Sequence, residues 1–106
     1  MQHQICRSSD LIAGEGKPFK AGYELIAVFR TADGALYAVE NSCPHAGAPL
    51  DDGPLEGGEV MCDWHGWRFR LSDGECLTCP GQSLKTYPIH EADGLVYVET
   101  DSAPPT

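Results

Sequence analysis

Asp33-Gly34, Asp73-Gly74 and Asp93-Gly94 each stand between two short runs of aliphatic, aromatic and β-branched residues. Gly adopts left-handed backbone without steric penalty and Asp tolerates it, so such a pair between strand-forming runs reads as a hairpin turn. The flanking runs are too short for helices, and no stretch sustains an apolar period of 3.6 residues. The chain is therefore expected to be all-β, made of small antiparallel sheets. The three turns are punctuation and carry no repeat meaning.

Taken in order, residues 2–7 read as a first strand. Residues 8–20, rich in Gly, Ser and Pro, read as a loop with one helical turn near residues 9–12. Strands are expected at 23–29 and 36–39, at 59–62 and 67–71 with 75–78 pairing back, then at 84–91 and 95–100. The Pro-containing tail, 101–106, is expected to fray. A length of 106 residues suits one domain.

The formal net charge is −9, with seven basic side chains against sixteen acidic ones. Such a surface repels phosphate backbones and anionic lipid, which argues against nucleic-acid and membrane partners. It favours steered, transient encounters with a basic protein surface. No apolar run is long enough to span a bilayer, and the first residues lack a basic-then-apolar leader pattern. A cytoplasmic, monomeric protein is the expectation. Five cysteines is an odd number, and without a leader a disulfide framework is disfavoured and metal ligation favoured.

The cysteines that matter lie in two boxes, Cys43-Pro44-His45-Ala46-Gly47-Ala48-Pro49-Leu50 and Cys62-Asp63-Trp64-His65-Gly66-Trp67-Arg68-Phe69. Cys43, His45, Cys62 and His65 could hold zinc, iron or an iron–sulfur cluster. A common zinc finger groups its two cysteines on one knuckle and its two histidines on a later helix. Here each box offers one of each, and no helix follows. A two-iron cluster with two Cys on one iron and two His on the other suits that arrangement, while a structural zinc site stays as the alternative. Gly47 and Gly66 would let backbone N–H groups approach inorganic sulfide, and Pro44 and Pro49 would stiffen the first box.

At these residues the chain resembles the Rieske family, in the version found in bacterial ferredoxins and in the N-terminal domains of ring-hydroxylating oxygenases. The likeness extends to Lys85-Thr86-Tyr87-Pro88 and the final hairpin. It implies three antiparallel sheets with a cluster-binding subdomain at about 41–70, and one [2Fe–2S] cluster per chain. Cys43 and Cys62 would bind the buried iron, and His45 and His65 the outer one. The respiratory branch of the family carries two further cysteines that clasp the loops, and Ser and Tyr hydroxyls that donate to sulfur. Here those positions are Ala48, Trp64, Trp67 and Phe69. Without these donors the reduced cluster is less stabilised, which implies a potential toward the low end of the roughly −150 to +300 mV Rieske range.

Other residues read more plainly. Trp64 and Trp67 are expected to pack against the cluster and exclude water rather than conduct electrons. Cys76 and Cys79 form a C-x-x-C pair without a supporting helix or knuckle, and read as thiols at a hairpin edge and loop. Cys6 reads as a small buried hydrophobe, and His3 and His90 as solvent-facing. Asp51, Asp52, Glu56 and Glu59 read equally well as a solvated link or as part of a docking face.

The resemblance implies a soluble one-electron carrier that takes electrons from a reductase, flavin-dependent or similar, and passes them to a terminal oxygenase. An oxygenase also needs a mononuclear iron site, usually two His and a carboxylate in a much larger domain, so 106 residues leave no room for one and the chain is not expected to be an enzyme. The alternative is the small subunit of a nitrite reductase or another multi-subunit oxidoreductase. A zinc-stabilised binding module is the third reading.

Overall fold

Strand β3, Glu24–Arg30, is enclosed on both faces: Ile26, Ala27, Val28 and Phe29 are all fully buried. Successive side chains of a strand point to opposite sides, so one short run serves two cores. Ala27 and Phe29 pack with Val39, Cys43, Leu50, Val60, Cys62 and Phe69. Ile26 and Val28 pack with Ala38, Tyr87, Val96 and Val98. The lack of polar alternation in this run follows from its place in the middle layer.

This is a computed structural model, which describes residues 2–22, 24–43, 49–62, 67–78 and 81–100. The described strands are β1 (Gln2–Arg7), β2 (Glu15–Ala21), β3, β4 (Leu36–Glu40), β5 (Leu55–Glu56), β6 (Glu59–Met61), β7 (Arg68–Arg70), β8 (Thr86–Tyr87), β9 (Ile89–Ala92) and β10 (Leu95–Glu99). They form three sheets, ordered β1-β10-β9, β2-β3-β4-β8 and β5-β6-β7, and every pairing within them is antiparallel. The four-stranded sheet is the middle layer. The β1-β10-β9 sheet covers the Ile26 face and the β5-β6-β7 sheet the Phe29 face. The all-β expectation and the small antiparallel sheets agree with this architecture.

Two expectations are corrected. Residues 15–20, expected as loop, belong to β2, which pairs with β3 from Glu15 opposite Arg30 to Ala21 opposite Glu24. Its Gly and Pro content suggests a loop, but β2 is an edge strand, and an edge tolerates Pro18 because a ladder N–H is not needed there. The helical turn nearby is a short 3-10 segment at Ser8–Asp10. Residues 84–91, expected as one strand, instead break at Pro88. Tyr87 pairs with Ala38 in the middle sheet, and Ile89 pairs with Val98 in the outer one. Pro88 has no N–H to donate, so the change of sheet occurs where the ladder would be interrupted anyway.

The expected turns are present. Asp93 and Gly94 both have positive φ, 54° and 79°, the backbone signature of a two-residue hairpin turn between β9 and β10. Thr31 N–H donates to the Ala35 carbonyl at 2.9 Å across the Asp33-Gly34 turn. Residues 75–78 pair back on β7: Leu77 N–H donates to the Arg68 carbonyl at 2.7 Å, and Cys76 bridges Phe69. The tail, residues 101–106, lies outside the described residues. No helix among the described residues is long and apolar enough to cross a membrane.

Candidate metal centre

The first box leaves the middle sheet at the end of β4, and Asn41 sets its base. Asn41 N–H donates to the Leu25 carbonyl at 3.0 Å, which ties it to β3. Its side-chain oxygen accepts from Leu50 N–H at 2.7 Å and from Asp51 N–H at 3.0 Å. Its side-chain nitrogen donates to the Asp51 carboxylate at 2.8 Å. Residue 41 before the box and residues 50–51 at its end are thereby held together. Cys43, which opens the box two residues after Asn41, is 1% exposed.

The second box lies between β6 and β7. Met61 pairs with Arg68, and Cys62 N–H donates to the Trp67 carbonyl at 2.7 Å, closing the base of this loop. Cys62 is fully buried. The two boxes are also held to each other. Gly53 N–H donates to the Leu50 carbonyl at 2.9 Å, and Met61 N–H donates to the Pro54 carbonyl at 3.0 Å. The exit of the first loop thus packs against the entry of the second.

Cys43 and Cys62 belong to one apolar cluster, walled by Leu50, Val60, Phe69, Leu71 and Leu84. His45 and His65 lie outside the described residues, as do Pro44, Ala48 and Trp64. Two thiolates in such surroundings would be costly without a compensating charge, and a bound cation supplies one. Sulfur donors at the buried roots of two closed loops fit an iron centre whose thiolates must be kept from water. Phe69 is fully buried in this core and brings no hydroxyl to it. Trp67, half-buried, packs against the same cluster with its ring 6.4 Å from that of Phe69.

The acidic run divides. Asp51 is taken up by Asn41, and Glu59 pairs with Arg68 at 3.1 Å, whereas Asp52 and Glu56 are exposed. Cys76 differs from its expectation. It is a core side chain, 2% exposed, in the same cluster as Cys43 and Cys62, because its bridge to Phe69 turns it inward. Its sulfur lies 3.6 Å from the Thr78 hydroxyl, which accepts from Arg68 N–H at 3.2 Å. Cys79 lies outside the described residues. Cys6, expected to be buried, is only partly so; it packs against the opposite core, where desolvation, and then the nearby Asp10, push its thiol up. His90 is exposed and stacks on Tyr97 at 5.1 Å. His3, expected in solvent, is partly buried, with its ring nitrogen 2.9 Å from the Thr100 hydroxyl. Sequence reasoning passed over Asn41, because a contact to residues nine and ten positions later leaves no periodic signal.

Two cysteine-bearing loops, rooted in one buried apolar cluster, stand on a three-sheet β framework. The profile of the Rieske [2Fe-2S] domain matches residues 1–88. Among curated proteins, the chain is 39% identical over 87 residues to the 4beta-methylsterol monooxygenase of Methylococcus capsulatus, covering 69% of this chain and 22% of that protein. Among solved structures, it superposes with a TM-score of 0.89 and 29% identity on a protein provisionally named as the NADH-dependent nitrite reductase small subunit of Mycobacterium tuberculosis, covering 97% of each chain. It superposes on the Sphingomonas yanoikuyae B1 ferredoxin with a TM-score of 0.83 and 27% identity, covering 94% of this chain and 99% of that one. The chain belongs to the Rieske [2Fe-2S] domain family. The family's cofactor, a Rieske-type [2Fe–2S] cluster, is therefore the one implied here. The chain spans about a fifth of the length of the curated relatives it matches first.

Proposed function

We propose that this chain is a one-electron carrier in which Cys43 and Cys62 bind one iron of the cluster and His45 and His65 the other. The observation that carries the reading is the burial of Cys43 and Cys62 in one apolar cluster at the bases of two closed loops. When bound, the cluster supplies reversible uptake of a single electron. The protein keeps water from the sulfur side with Leu50, Val60, Phe69 and Trp67, and holds the loops still enough to limit rearrangement between redox states. The chain is read as one domain, 1–106, with its cluster-binding part at about 41–70.

The electron would come from a reductase and go to a terminal oxygenase, through brief encounters in the cytoplasm. Likeness to a ferredoxin over nearly all of both chains supports that direction. The exposed Asp52 and Glu56, near the exit of the first box, are suited to a basic partner surface. The second reading, a nitrite reductase small subunit, is supported by the superposition on the Mycobacterium tuberculosis protein.

Coulometric titration of the purified protein tests the carrier reading. One electron taken up per two irons is expected, with the low-g resonance of a reduced Rieske cluster and no turnover of nitrite or organic substrate by the chain alone. Colourless protein with zinc as its native metal would overturn it. Salt-resistant co-purification with a large sirohaem subunit would move the assignment to the second reading.

A further inference from the structure

We infer that Asn41 is a positioning residue for Cys43, a clamp that sets the direction of this ligand by joining the two ends of the first loop. The inference rests on the proposal that Cys43 is a cluster ligand. Leu50 N–H and Asp51 N–H need an acceptor, and both reach the same Asn41 oxygen, at 2.7 and 3.0 Å. That fixes which way the amide faces. Its nitrogen is left to donate to the Asp51 carboxylate at 2.8 Å, so donor and acceptor are both used and in one orientation only.

The clamp is itself mounted on a rigid element. Asn41 N–H donates to the carbonyl of Leu25 in β3, and Glu40 N–H donates to the Lys85 carbonyl at 2.8 Å. On the far side, Leu50 is fully buried beside Cys43 and Cys62. The chain therefore enters and leaves the first loop at fixed points, and Cys43 is only two residues from one of them. Little backbone freedom remains to redirect its sulfur. Outer residues that orient ligands change metal affinity by roughly 10–100-fold when lost, which sets the scale of the expected effect.

The test exchanges the polarity of the clamp. Asn41→Asp places a carboxylate against that of Asp51 while still accepting the two N–H groups. Adding Asp51→Asn restores a donor facing an acceptor with the roles reversed. Asn41→Asp is expected to release iron to a chelator about tenfold or more faster than the parent and to shift the g-values of the reduced cluster. The double variant N41D/D51N is expected to return both to near parental values. Parental release and spectrum in N41D would overturn the inference. So would a double variant no better than N41D. Cys43→Ala separates this from the ligand assignment. If C43A keeps a full complement of iron with the parental spectrum, the ligand proposal fails first; if C43A loses the cluster and N41D does not differ from the parent, only the clamp fails.

Discussion

Gly53 faces the carbonyl oxygen of Met61 so closely that a Cβ on it would sit 2.2 Å from that oxygen. This contact seats the turn after the first cysteine-bearing loop against the strand that leads into the second. The opposing atom is backbone, so it cannot swing aside as a side chain could.

Gly53→Ala is therefore expected to destabilise the fold by about 1–3 kcal/mol, the usual range for overpacking. It should also hasten cluster loss, because the two loops must separate to admit the methyl. Chemical denaturation and iron release measured on the same preparation check this. Unchanged values in both would mean that the approach is relieved without cost.

The two faces of β3 allow stability and cluster retention to be separated. Leu50→Ala and Ile26→Ala each remove a fully buried side chain and are each expected to cost about 2–5 kcal/mol. Leu50 packs with Cys43 and Cys62, whereas Ile26 packs against Val96 and Val98 on the other side of the sheet. Only Leu50→Ala should change the resonance of the reduced cluster, as measured by EPR on protein kept well below its Tm.

Phe69 is enclosed beside both cysteines without a hydroxyl. The parent is expected to have a midpoint below about +100 mV, and Phe69→Tyr to raise it, because a donor to sulfur disperses the charge of the reduced state. Protein-film voltammetry of both proteins gives the comparison. If the new hydroxyl finds no acceptor, the potential will stay put and stability will drop by about 1–3 kcal/mol instead.

Arg70 grips the turn that brings Cys76 back to Phe69. Its guanidinium donates to the Asp73 carboxylate at 3.1 and 2.6 Å, and this pairing, helped by Glu75 N–H, holds the Asp73 carboxyl below its ordinary range. The folded state thus binds the Asp73 proton more weakly than the unfolded chain does. The stabilisation is present in full above the ordinary carboxylate pKa and is lost as pH falls through the lower folded value. The Tm advantage of the parent over Asp73→Asn should be constant near neutral pH and shrink in acid. Because both partners are exposed, high salt should reduce it.

Much of this protein is legible from residues acting on their neighbours. Asp-Gly pairs set hairpins because the conformational preference of a turn is local, and Asp93-Gly94 adopts the backbone its chemistry favours. The spacing of Cys43, His45, Cys62 and His65 suits the mixed Cys and His centre proposed here for a similar reason: ligand type and order can be read without a fold. Other features belong to the assembled chain. Residues 15–20 become part of a strand through pairing with β3, which overrides a local Gly and Pro signal for loop. Cys76 is buried because β7 turns it inward, and Asn41 matters because folding brings Leu50 and Asp51 to it. The fold class and the turns can be read along the chain because they rest on local preference, and the proposed ligands because they rest on residue type and spacing. Which face of β3 meets the cysteines, and which side chain bridges the ends of the first loop, emerge on folding, since those contacts join residues far apart in the chain and leave no local trace.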